Sequence, residues 1–149
     1  MDAVKLQQYV IEPTLKSLNM YSAAAVKLLM GTAAQESQCD PFCRRQKGLG
    51  IYQISAQQHR AIWDQYLAFK PDLASLVRGL ASQHQFLQQP DQELVTNLAY
   101  STAIAWIIYL QSGGQLPEEN DRKGLGYFWC HHFGHHGEQN AHRLDMACW

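Results

Sequence analysis

Residues 33–37 read AAQES, and soon after them residues 48–55 read GLGIYQIS. Glu36 closes an apolar run and stands just before a glycine-rich, aromatic segment. A carboxyl in such a partly apolar wall has its charged form disfavoured, so it keeps a proton near neutral pH. It can then give that proton to a leaving oxygen. The following segment suits a polyhydroxy ligand. Gly48 and Gly50 let backbone approach closely. Tyr52 offers a flat amphipathic surface that can face or underlie a sugar ring. Gln53 supplies an amide with two donors and one acceptor site. Asp40, in an Asp-Pro pair, reads as a turn-former and leaves Glu36 without a clear second carboxylate.

Metal chemistry is the competing reading. The four cysteines stand at 39, 43, 130 and 148, and five of the seven histidines fall within 131–142. Cys39, Cys43, Cys130 and one histidine would suffice for a structural zinc site. The spacing lacks the tight pairs of zinc modules, and the HHFGHH run at 131–136 is a weak metal signal. Free buried thiols are therefore expected, with no metal and no cofactor.

The elements that must hold Glu36 are nearly all helices. Apolar spacing predicts a helix over 2–18, with Pro13 kinking or interrupting it. Ser22 reads as the N-cap of a helix to about Ser37. Residues 39–55 read as loop and one small hairpin around 46–54. Ser55 to Gln58 forms a capping box opening a helix to about Phe69. Further helices are predicted over about 71–86, 91–112, 120–133 and 138–147. The 91–112 helix is the most apolar and should be the buried centre. The expected fold is a single, mainly α domain over 1–149, with at most one small β-hairpin.

Composition supports a folded domain: 46% of residues are hydrophobic and 17% charged, which excludes disorder. A net charge of −1 gives no electrostatic case for nucleic acid or anionic membrane. The apolar stretch from Leu94 to Leu110 is interrupted by Asn97, Ser101 and Thr102 and is short of the ~20 residues of a membrane span. The first residues lack the basic and apolar pattern of a signal peptide.

Glu36-Ser37, Asp40-Pro41 and Gly48-Leu49-Gly50-Ile51-Tyr52-Gln53-Ile54, in that order, resemble the lysozyme-like superfamily. The nearest likeness is to soluble lytic transglycosylases and the related goose-type lysozymes. Gln53 follows Glu36 by 17 positions, and Tyr52 stands where the family usually has methionine, phenylalanine or tryptophan. The resemblance implies a lysozyme-like helical domain that cleaves the MurNAc-β-1,4-GlcNAc bond of peptidoglycan glycan strands. Glu36 would be the general acid, then the base that activates the muramyl 6-hydroxyl. The substrate acetamido group would stabilise the oxocarbenium-like charge, giving a 1,6-anhydro product; hydrolysis is the alternative outcome.

The same resemblance assigns Ser37, Gly50, Tyr52, Gln53, Tyr100 and Tyr127 to substrate binding. Tyr100 lies in Ala99-Tyr100-Ser101, where the family carries an Ala-Tyr-Asn motif. Tyr127, near Trp129, is the other tyrosine that would bond the catalytic carboxyl. Phe133-Gly134 stands where a Tyr-Asn pair is expected, leaving Trp129, His131 and His132 to line that side. Without a signal peptide, the expected setting is a phage virion or tail, assembled in the host cytoplasm and acting on the wall. Other virion proteins would then be partners. The competing expectation is a catalytically inactive, lysozyme-like structural component.

Overall fold

The computed structural model describes residues 1–45, 47–133 and 145–149. Helix α1 spans 3–17 and is capped by Asp2, whose carboxylate accepts from Val4 N–H at 2.9 Å. Pro13 neither breaks nor ends it. The segment Gln7–Ile11 is a π-turn, with Glu12 N–H reaching back to Gln7 O. A proline ring normally clashes with the carbonyl four residues earlier. The widened turn gives it room, so the helix continues through Glu12–Ser17. Leu6, Ile11, Leu15 and Leu18 form its buried stripe.

Helix α2, Ala23–Ser37, begins at Ser22, whose hydroxyl accepts from Ala25 N–H. It ends in left-handed backbone at Gln38 and Cys39. Cys39 N–H bonds back to Ala33 O, which closes the helix without a glycine. Strands β1 (Gly48–Leu49) and β2 (Ile54–Ser55) then pair antiparallel, Gly48 opposite Ser55 and Leu49 opposite Ile54. Ser55 caps α3, Ala56–Gln65, as the sequence predicts. A 3₁₀ turn at Leu67–Phe69 completes that stretch.

Two predicted helices are divided. The 71–86 segment becomes α4 (Pro71–Leu80) and α5 (Gln83–Gln88), separated by extended Ala81. Ser82 accepts from Gln85 N–H and so starts a new helix where the sequence read continuity. The 91–112 segment becomes a 3₁₀ turn at Pro90–Gln92, α6 (Glu93–Thr96) and α7 (Leu98–Ser112). The two halves meet at 106°. Asn97 makes the corner: its carbonyl oxygen accepts from Tyr100 N–H while its amide donates to Leu80 O.

Every residue of α7 from Tyr100 to Tyr109 is buried, so α7 is the central helix. Helices α1, α2, α3 and α4 pack around it. Helix α8, Arg122–His132, starts at Asp121 and lies against α2 and α7. A 3₁₀ turn at Met146–Cys148 packs on α2 and α8. Most of the helix predicted over 138–147 lies outside the described residues. The fold is mainly α with one small hairpin, as expected. Among the described residues, no single helix is long and apolar enough to cross a membrane.

Candidate active site

Glu36 lies in the last turn of α2 and is 7% exposed. The indole N–H of Trp129, on α8, donates to its Oε2 at 2.9 Å. Trp129 is itself buried and stands beside Trp149, with ring centres 6.2 Å apart. Trp149 covers Gly31 of α2, where an added Cβ would fall 2.2 Å from the indole ring. The last residues are also pinned by Asp145 N–H to Gln35 Oε1 and by Arg122 to Met146 O. The carboxyl thus sits where three segments meet: the end of α2, the middle of α8 and the 145–149 segment.

Tyr109 of α7 adds a further polar group to this wall. Thr32 gives its own hydrogen to Leu28 O, so the Tyr109 hydroxyl donates to Thr32 Oγ1 at 2.7 Å. Burial pushes the Tyr109 phenol well above its ordinary range, and the nearby Glu36 charge acts in the same direction. Tyr109 is therefore a neutral hydroxyl at every physiological pH.

The predicted sugar-holding residues have other occupations. Ser37 Oγ donates to Ile51 O at 2.6 Å and accepts from Asp40 N–H. It ties the end of α2 to the hairpin. Tyr52 is fully buried, and its hydroxyl donates to Thr102 Oγ1 at 2.9 Å. A ring enclosed on both faces cannot present one to a ligand, so the expected sugar-facing surface is corrected to a core aromatic. Gln53 is 5% exposed with φ at 51°. Its amide N–H groups go to Cys43 O and Gly50 O, and its Oε1 accepts from Arg45 N–H. The amide is spent on holding the 43–53 loop closed.

Gly50 is needed for packing and conformation. Its φ is 75°, and an added Cβ would meet Leu94 O at 1.8 Å. The close approach expected at this glycine is made by the backbone of α6. Tyr100 is buried and bonded to His59 and Trp63; its partners are not Glu36. Tyr127 is 45% exposed and stacks on His131. The carboxyl contact expected of a tyrosine is made by Trp129 instead. Residues 127 and 129 lie roughly 200° apart around a helix, so Tyr127 cannot share that contact.

Asp40 caps its own turn by accepting from Phe42 N–H, as its Asp-Pro context predicts. His132 bonds Ser112 and stacks on Phe128, while His131 is exposed. Gly134 lies outside the described residues, as do His135, His136 and His142. Cys39, Cys43 and Cys148 are free thiols, and burial pushes the thiols of Cys39, Cys130 and Cys148 upward. Among the described residues, no three histidine, cysteine or acidic side chains stand together as a metal set.

A depression of about 130 Å³ lies beside the hairpin, lined by Pro41, Phe42, Arg44, Leu49, Val95 and, of the predicted substrate-binding residues, Gly50. A wider one, about 490 Å³, lies on α4 and α5 around Arg78 and Leu87. Glu36 lines neither. Sequence reasoning put Glu36 at the end of its helix and Trp129 on the facing side, but gave the carboxyl contact to a tyrosine. The signal available was the tryptophan at 129 on a helix that also buries Leu125 and Cys130. In comparisons with known proteins, no family model, no curated protein and no solved structure matches this chain.

Proposed function

We propose that this protein is a lysozyme-like glycosidase that cuts the MurNAc-β-1,4-GlcNAc bond of peptidoglycan, with Glu36 as the acid and then the base. One observation carries the reading. A glutamate ends a core helix, is nearly enclosed, has one carboxyl oxygen held by an indole N–H, and is followed at once by a loop and two-stranded hairpin. A carboxyl held in one orientation supports proton exchange with a glycosidic oxygen. Glu36 would give its proton to that oxygen as the C–O bond breaks. It would then take the proton of the muramyl 6-hydroxyl as that oxygen attacks C1. Water in place of the hydroxyl gives the hydrolytic product. The setting that fits is a phage virion or tail acting locally on the wall.

The internal commitment of Ser37, Tyr52, Gln53 and Tyr100 favours a second reading, a lysozyme-like virion component without catalysis. One assay separates the two. Purified cell walls are incubated with the wild type and with Glu36→Gln, and released fragments are analysed by mass. The enzyme reading expects release by the wild type and a loss of at least about 10²-fold in the variant. Equal release by both removes Glu36 from the mechanism. No release by either supports the structural reading.

A further inference from the structure

We propose that His59 is a proton-sensitive latch between α3 and α7, closed while its imidazole is neutral and opened when the ring takes a second proton. This goes beyond the reading of Glu36 and does not depend on it. His59 is 2% exposed, on the inner face of α3. Its Nδ1 lies 2.9 Å from Asp91 Oδ1, and its Nε2 lies 2.6 Å from the Tyr100 hydroxyl. The same hydroxyl oxygen accepts from Trp63 Nε1–H at 2.8 Å.

The hydrogens can be assigned by counting donors. An ionised Asp91 only accepts, so His59 Nδ1 carries a hydrogen. Trp63 only donates, so the Tyr100 oxygen accepts from it. Tyr100 then has one hydrogen left, and Nε2 of a neutral imidazole is its acceptor. Every group is satisfied in this state.

Adding a proton to Nε2 places three hydrogens at one oxygen. The Tyr100 oxygen would have to accept from both His59 and Trp63, and its own hydrogen would face the new N–H. A buried polar hydrogen without an acceptor costs about 1–3 kcal/mol. The imidazolium keeps its attraction to Asp91, whose side chain is 39% exposed. Separation from Tyr100 with Asp91 still attached, toward solvent, relieves the conflict.

The charged groups around the cluster are few. Asp91 on the 90–92 turn favours the imidazolium, and Arg60 on α3 opposes it. Arg78 and Glu93 act on the Tyr100 phenol from α4 and α6. Glu93 is anchored through Ser82 N–H to its Oε1. Burial is the largest influence on His59 and holds its imidazole below the ordinary value. The sign follows from linkage. Above the unfolded-chain value of about 6.5 both states are neutral and the latch is fully stabilising. Below it the unfolded chain takes a proton first, so stability falls as pH drops toward the folded value.

The test is a pH series of long-range proton–nitrogen NMR spectra of the imidazoles, read together with amide hydrogen-exchange protection factors. His59 is assigned by its loss in His59→Gln, or by its contacts to the Tyr100 ring where that variant does not fold. The expected result is an Nδ1–H tautomer, a midpoint below that of unfolded-chain histidine, and protection across α3 that falls as pH drops from the unfolded-chain value toward that midpoint. Tyr100→Phe removes the contested oxygen, so its His59 midpoint should rise above the wild-type one. An Nε2–H tautomer overturns the proposal. So does a midpoint at or above the unfolded-chain value, α3 protection independent of pH, or an unmoved midpoint in Tyr100→Phe.

Discussion

Trp129 reaches across 93 positions of sequence to donate its indole N–H to Glu36 Oε2. An indole can only donate, so this oxygen is fixed as an acceptor and the carboxyl plane is held against α8. Trp129→Phe keeps most of the packing against Trp149 and removes that bond. The loss of stability should be about 1–3 kcal/mol, measured by urea denaturation. Trp129→Ala should cost more, about 3–5 kcal/mol, because a cavity opens in addition. Equal losses for the two variants would mean that the bond accounts for the whole effect and ring packing for none; an unchanged stability in Trp129→Phe would mean that the bond contributes nothing.

Gln53 has a structural task that its sequence context concealed. Its amide closes the 43–53 loop with bonds to Cys43, Gly50 and Arg45. Gln53→Ala strands two carbonyls and one N–H and should cost about 2–4 kcal/mol. Gln53→Glu should be no better, because both amide donors become acceptors facing carbonyls. Thermal unfolding of the two variants against the wild type tests this. A stable Gln53→Glu would show that the loop closes by other means.

Tyr52 separates a core role from a ligand role. Tyr52→Phe removes the hydroxyl that donates to Thr102 and leaves the ring in place. The expected cost is about 1 kcal/mol, with no change in affinity for chitin-type or muramyl oligosaccharides. Titration of the variant with such oligosaccharides, read by protein fluorescence, checks it. A weakened affinity at unchanged stability would return Tyr52 to a sugar-contacting role.

The helical skeleton was legible because its signals are local. Ser22 and Ser55 cap helices where their patterns place them, and the glycines at 48 and 50 mark the hairpin. The corner at Asn97 was not legible, because its amide is satisfied by Leu80 O on another helix. The divided 71–86 segment is similar: Ser82 serves both as a new cap and as the donor to Glu93. Within the site, the type and burial of Glu36 could be read from the apolar run before it. Its bond could not: Trp129 was expected only to line that side, and nothing near residue 36 announces that an indole and not a tyrosine meets the carboxyl. Tyr52 and Gln53 have structural tasks that the sequence did not single out, because the same residue types that bind sugars also fill a core and close a loop. Only burial and bond partners tell those uses apart.

Gly31 and Trp149 form a coupled pair whose energetics can be separated by a double-mutant cycle. In the wild type, an added methyl at Gly31 would collide with the indole ring of Trp149. Gly31→Ala alone should therefore displace Trp149 from beside Trp129 and cost about 1–3 kcal/mol through overpacking. Trp149→Ala alone removes a buried ring and should cost about 3–5 kcal/mol. With the ring gone, the glycine has no steric reason to remain. In the Trp149→Ala background, Gly31→Ala should be neutral or stabilising by up to about 1 kcal/mol, the helix preference of alanine over glycine. The double variant should thus lose about 1–4 kcal/mol less than the sum of the two single losses, measured by urea unfolding of the four proteins. Additive losses would mean that Trp149 does not rest on Gly31 in solution.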